Sequence, residues 1–361
     1  MFCMLMAKSY FCPDKYNIIM AALQVFIIGL VFGLLISYGR LNRYDTIAAQ
    51  SVFLNMNVMK TIMLAIGIGS ILVLIEMALG YATFHIKPFM LGGTLLGGLV
   101  FGTGMSILGY CPGTMPISLG QGSVDALVGI VGGLLGGIVF TLVYDEFAVL
   151  WTVDSTGTLF TLMGGTFSAA YIVVAILCSA ALILLSTVLH KIDVKMGNRG
   201  KKWLVTSIGL AVLNALLFYK GWQNTPLGAS TCYPFVGDSL ASITSTTYFP
   251  MTVKSGSWQV WFLGGALVAG FLYALVTRSF KFEITHDFWR KRRSKSAMGR
   301  LFWAFLGGFL LIFGARMADG CTSGHFLSGG MQFAGSSYAF MLATMIGFLV
   351  TGLIFYRNRW H

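Results

Sequence analysis

Two cysteines in this chain have the residue type and spacing that a chemical site needs. Cys111 and Cys321 lie 210 positions apart in matching frames of small residues. Gly97-Gly98, Gly104, Cys111, Ser118, Gly120 and Gly137 recur without a gap as Gly307-Gly308, Gly314, Cys321, Ser328, Gly330 and Gly347. A thiol is a weak, polarisable hydrogen-bond donor. It suits a soft, weakly hydrated anion better than one that presents only hard oxygens. A thiolate would repel such an ion, so neutral thiols are expected at rest. The local motifs are Gly109-Tyr110-Cys111-Pro112-Gly113-Thr114 and Asp319-Gly320-Cys321-Thr322-Ser323-Gly324-His325.

The elements that position these thiols follow from composition. Of 361 residues, 57% are hydrophobic and 10% charged, where a soluble domain carries roughly a quarter charged. The chain is therefore expected to be an all-α polytopic membrane protein whose first partner is the lipid bilayer. Nine apolar stretches can cross a bilayer, at about 18–39, 61–82, 89–109, 122–144, 169–190, 203–222, 257–277, 300–318 and 337–356. The net charge of +12 then reports orientation and calls for no nucleic acid. Eighteen Lys and Arg fall on one side and five on the other if the N-terminus is outside and the C-terminus cytoplasmic. On that count Lys60 and Arg300 belong with the cytoplasmic loops. Spans flanking Cys111 then run opposite to those flanking Cys321, so the duplication is an inverted-topology repeat, with 1–190 as first half and 191–361 as second. Glycines spaced four apart, as in Gly93xxxGly97 and Gly129xxxGly133, let helix backbones approach closely. They follow no strand pattern and do not read as a nucleotide loop. The six cysteines show neither CxxC nor zinc spacing, and no metal or cofactor is expected.

No charged residue lies between Met90 and Val124 or between Gly320 and Tyr356. Segments this apolar and this rich in Gly, Ser and Thr are expected to re-enter the membrane as short half-helices. Pro112 suits a first helical turn, and Thr322 and Ser323 suit helix N-caps. Each cysteine would then sit where free N–H groups and the positive dipole end meet an anion, with Pro112, Gly113, Thr114, Thr322, Ser323 and Gly324 around it. Arg316 can help hold an oxyanion or pair with Asp319 one helical turn on. His325 can donate to substrate or be satisfied by backbone. Residues 224–247, with Cys232, and residues 40–60, with Asn42 and Tyr44, break the apolar pattern on opposite sides as candidates for a weaker counterpart pair, although their identity is too low to show it. Cys232 is expected to face outside, either as an exposed unpaired cysteine of no role or as an entry contact, and Asn42, Tyr44, Asp319 and Cys232 are secondary candidates. Glu76 and Asp125 take no role here.

The run Gly-Cys-Thr-Ser-Gly-His at 320–325, with Ser328-Gly329-Gly330, Gly307-Gly308 and Gly314, resembles the YeeE/YedE family of sulfur-compound transporters. Gly109-Tyr110-Cys111-Pro112-Gly113-Thr114 resembles that family's matching first-half motif, and the span order is similar over nearly the whole chain. The resemblance implies thiosulfate uptake across the bacterial inner membrane. It also implies an hourglass-like inverted repeat of nine spans with re-entrant helices, central cysteines that pass the ion along, and, in some cases, a small cytoplasmic sulfur-carrier protein. One departure stands out. The family often has a cysteine just after the Gly-Arg that closes the first span, whereas this chain reads Gly39-Arg40-Leu41-Asn42-Arg43-Tyr44-Asp45. Asn42 or Tyr44 would replace a thiol with ordinary hydrogen bonding, and a related sulfur oxyanion or persulfide-like species stays open as cargo. A rival class is a membrane thiol oxidoreductase using Cys111 and Cys321 as a redox pair, which needs their sulfurs in bonding range. A third is a structural membrane subunit.

Overall fold

The structure, a computed structural model, describes residues 15–147, 157–165 and 167–357; Cys3, Cys12, Asp154 and Arg359 lie outside them. The described chain is helical throughout. Its helices are α1 (Lys15–Gly39), α2 (Tyr44–Gln50), α3 (Asn57–Ala78), α4 (Leu91–Leu108), α5 (Thr114–Gly120), α6 (Val124–Val143), α7 (Leu159–Leu162), α8 (Ala169–Lys195), α9 (Lys202–Phe218), α10 (Cys232–Leu240), α11 (Phe249–Val276), α12 (Asp287–Arg292), α13 (Ala297–Met317), a π-helix (Thr322–Gly329) and α14 (Gly335–Phe355). Among the described residues, eight helices are long and apolar enough to span a membrane. The ninth expected span, 203–222, is the 17-residue α9. Its chain turns at Tyr219, Thr225 N–H closes back on the Leu217 carbonyl at 2.9 Å, and Pro226 keeps Thr225 out of helical geometry.

The order span, short helix, span, span, short helix, span occurs twice, as α1 to α6 and as α9 to α14 with the six-residue α12 inserted. The packing repeats too. α4 lies on α13, α4 on α14 as α13 on α6, and α1 on α11 as α3 on α9. Residues 40–60 and 224–247 each hold one of the short helices, α2 and α10. The expected boundary at 190/191 falls in the last turns of α8, which lies between the two sets and packs on α3. A buried salt bridge between Lys60 and Asp193 joins those two helices, and the Asp193 carboxylate also accepts from Met56 N–H at 3.1 Å. Lys60 is thus buried between helices and not a loop charge.

The repeated glycines make the central crossing possible. A Cβ on Gly97 would stand 2.7 Å from the Gly314 carbonyl oxygen, and one on Gly314 would stand 2.7 Å from that of Gly97. The frame serines also have matching duties. Ser118 donates to the Asn42 carbonyl at 2.6 Å, ahead of α2, and Ser328 accepts from Leu227 N–H at 2.8 Å, ahead of α10. Each re-entrant segment is docked on the approach to another. Both central helices stop at a residue with left-handed backbone, α4 at Gly109 (φ +75°) and α13 at Asp319 (φ +50°), and these two occupy the same position in the repeat.

Candidate functional site

The Cys111 turn is built on one hydroxyl. Thr114 Oγ1 accepts from Cys111 N–H at 2.9 Å and lies 3.2 Å from the Cys111 carbonyl and 3.3 Å from its sulfur. Pro112 and Gly113 carry the chain from the half-buried thiol to the start of α5. The Pro112 carbonyl accepts from Tyr233 OH at 2.8 Å, which ties this turn to α10 of the other half.

The Cys321 turn is wound differently. Cys321 is the N-cap of the π-helix and is buried. Its sulfur lies 3.3 Å from Ser323 Oγ. Contrary to the sequence expectation, neither Thr322 nor Ser323 caps the helix with its side chain. The π winding begins directly after the cysteine, so Ser323 turns back to the sulfur, and the buried Thr322 hydroxyl has no partner in the protein. His325 donates or accepts at both ring nitrogens, with the Ala318 carbonyl at 2.8 Å and Ser337 Oγ at 3.0 Å. Both are committed to the fold, which leaves no nitrogen for a passing ion. A Cβ at Gly324 would meet nothing nearer than the Leu227 carbonyl at 3.7 Å, so glycine keeps space open there.

The two turns share one narrow cavity. Cys111, Gly113, Thr114, Thr322 and Ser323 line a space of about 80 Å³ with otherwise largely apolar walls. On the Cys321 side lies a vestibule of about 240 Å³, lined by Cys321, Gly324, Lys87, Lys254, Arg316 and Asp319 among others. On the Cys111 side lies a polar hollow of about 190 Å³ that includes Asn42, Tyr44, Gln121, Lys281 and His286. Cys232 does not face solvent. It is buried at the start of α10, with its N–H held by Gln259 Oε1 at 3.1 Å, and it lies within electrostatic range of Cys321. The four described cysteines are all free thiols.

Arg316 is buried and donates to Ser230 Oγ at 2.7 Å, Thr231 Oγ1 at 3.1 Å and Tyr248 OH at 3.2 Å. Asp319 stands 3.8 Å from Arg316 and 3.1 Å from Lys87. Asn42 donates to Gln121 Oε1 at 3.0 Å and to Ser118 Oγ at 3.3 Å, while its own Oδ1 has no partner in the protein. Tyr44 points elsewhere. Its hydroxyl meets Tyr356 OH at 2.7 Å, and its ring lies under the Arg300 guanidinium at 4.2 Å. Asn42 is therefore the better placed of the two to contact an ion.

Sequence reasoning missed the largest charged cluster. Arg300 is fully buried, not a loop cation, and holds Asp125 through Nε at 2.9 Å and Nη2 at 2.6 Å. It also donates to the Ile107 and Leu108 carbonyls at the end of α4. Tyr110 OH donates to Asp125 at 3.2 Å, and His286 Nε2 approaches it at 3.1 Å. Burial opposes a charged His286, but hydrogen bonds to Asp125 and Glu283 prevail and raise its pKa to about 9. The signal was an acid and a base in the first turns of two apolar spans, which stand there only when paired.

Long apolar helices in a repeated arrangement, with two thiols between polar mouths, define a multi-pass membrane protein. The chain belongs to the family described as Sulphur transport, whose match runs over residues 39–350, as the Gly-Cys-Thr-Ser-Gly-His resemblance implied. Among curated relatives, the "Thiosulfate transporter TsuA" of Spirochaeta thermophila is 23% identical over 359 residues, covering 92% of this chain and 98% of that protein. The protein is thus a sulfur-anion transporter and not an enzyme.

Proposed function

We propose that the protein imports thiosulfate through the cavity between Cys111 and Cys321. The carrying observation is that both cysteine turns open on one narrow space, Cys111, Gly113 and Thr114 from one half and Thr322 and Ser323 from the other. Half-helix N–H groups supply the attraction for the anion, and the neutral thiols contact its terminal sulfur, which sulfate lacks. Asn42 takes over on the Cys111 side with an ordinary amide. The printed function of the spirochaete relative supports thiosulfate as cargo. The excess of Lys and Arg supports an outward N-terminus and a cytoplasmic C-terminus, so that Cys321 faces the outer mouth, and the family resemblance implies a bacterial inner membrane. The halves 1–190 and 191–361 are proposed to work as the two sides of this pathway. By family resemblance, a small cytoplasmic sulfur-carrier protein is proposed to receive sulfur.

Growth on thiosulfate as sole sulfur source, in an uptake-deficient host, tests the cargo. Growth is expected with the wild type, and failure of a correctly inserted protein would sink thiosulfate. Cys321→Ser should cut uptake at least about tenfold, if one lost contact is worth ~1.4 kcal/mol in the pathway. Full uptake by both single serine variants would remove the thiols from the mechanism.

A further inference from the structure

We propose that Asp319 is a tethered stand-in for the incoming anion: it occupies Lys87 and Arg316 until a divalent oxyanion in the vestibule displaces it. The proposal rests on reading the Cys321 side as the outer mouth. Four observations carry it. First, Asp319 adopts left-handed backbone at the position where its repeat mate is Gly109. A side chain there costs more than glycine, so the carboxylate has a use that the helix stop does not require. Second, the Arg316 side chain is 1% exposed and its nearest carboxylate is 3.8 Å away. Its Nε has no partner in the protein, so a buried cation is left short of its counter-charge. Third, Lys87 and Asp319 are only 31% and 37% exposed yet reach the vestibule, and their bond of 3.1 Å is screened enough to exchange. Fourth, the charges do not balance. Lys87 and Arg316 bring two positive charges, Asp319 returns one, and exposed Lys254 adds a third cation to the same wall. A dianion in place of the carboxylate neutralises both paired cations, whereas a monoanion offers no more than Asp319 already does.

The site so described captures divalent oxyanions by charge and leaves discrimination among them to the thiols deeper in. Sulfate should therefore occupy it without being carried. Calorimetry on detergent-purified protein tests this independently of transport, with thiosulfate, sulfate and nitrate as probes. The wild type should bind both dianions and discriminate against nitrate. Asp319→Asn and Asp319→Gly should bind the dianions roughly fivefold more tightly, and Lys87→Gln roughly fivefold more weakly, for charge pairs of this exposure. Absence of dianion binding by the wild type, equal competition by nitrate, or no tightening in the Asp319 variants overturns the proposal. If tightening is seen while uptake assays reject thiosulfate as cargo, the capture site stands and only the cargo assignment falls.

Discussion

The two mouths of this protein carry their charges in opposite ways. On the Cys111 side, Asp125, Arg300 and His286 form a compact group with both guanidinium and carboxylate fully enclosed. On the Cys321 side, Arg316 is held mostly by neutral hydroxyls, and its carboxylate neighbour leans towards a half-exposed lysine. The same repeat positions are uncharged in the other half. Asp125 corresponds to Gly335, Arg300 to Met90, Arg316 to Ser106 and Asp319 to Gly109. The repeat thus supplies a symmetric frame, and its two ends carry charge in different ways. The enclosed group fixes the end of α4 through two carbonyls. The loose group keeps positive charge available to an ion.

Arg300→Met gives the largest expected effect on the fold. It strands Asp125 in the interior and should cost about 3–5 kcal/mol, read as loss of monodisperse protein and a lower midpoint in thermal unfolding. Adding Asp125→Leu should recover most of that loss. Arg316→Met removes bonds to neutral groups and should cost about 1–2 kcal/mol; an equal penalty for both arginines would break the contrast. Gly109→Asp transfers the Cys321-side residue to the Cys111 side. Its Cβ would stand 2.2 Å from the Tyr44 ring, so destabilisation of roughly 1–3 kcal/mol is expected from overpacking alone.

A graded effect should come from pH. The pKa of His286 is raised in the folded protein to about 9, against about 6.5 when unfolded. Its contribution is then full below about pH 6.5 and is lost as pH rises through about 9. Thermal stability should fall across that window in the wild type and much less in His286→Gln. An unchanged slope would mean that the histidine is not held charged. Asp319→Gly gives the smallest change. It trades strained backbone for glycine but loses the pairs with Lys87 and with Arg316, so stability should change by no more than about 1 kcal/mol.

The spans were legible because each declares itself within its own twenty or so residues, and the repeat because glycine frames survive wherever backbones touch. Charge roles were not legible. Lys60 pairs across 133 positions and Arg300 across 175, and nothing local separates such a residue from a loop cation. The helix that ends before Tyr219 is shorter than expected for a related reason, since Tyr219 and Trp222 group with the apolar residue types while the chain has already turned. The hydroxyls after Cys321 were misread as caps because capping patterns assume α winding, and the segment is π-helical. Cys232 looked exposed because its loop is long, and it became buried when α10 folded back against α6 and α11.

The mutual contact of Gly97 and Gly314 has a mechanical consequence. Two rods that touch backbone to backbone, carbonyl against Cα, have no compliant layer of side chains in which to shear. A bulkier residue at Gly97 or Gly314 would therefore wedge the two helices apart and shift the cysteine turns that hang from their ends.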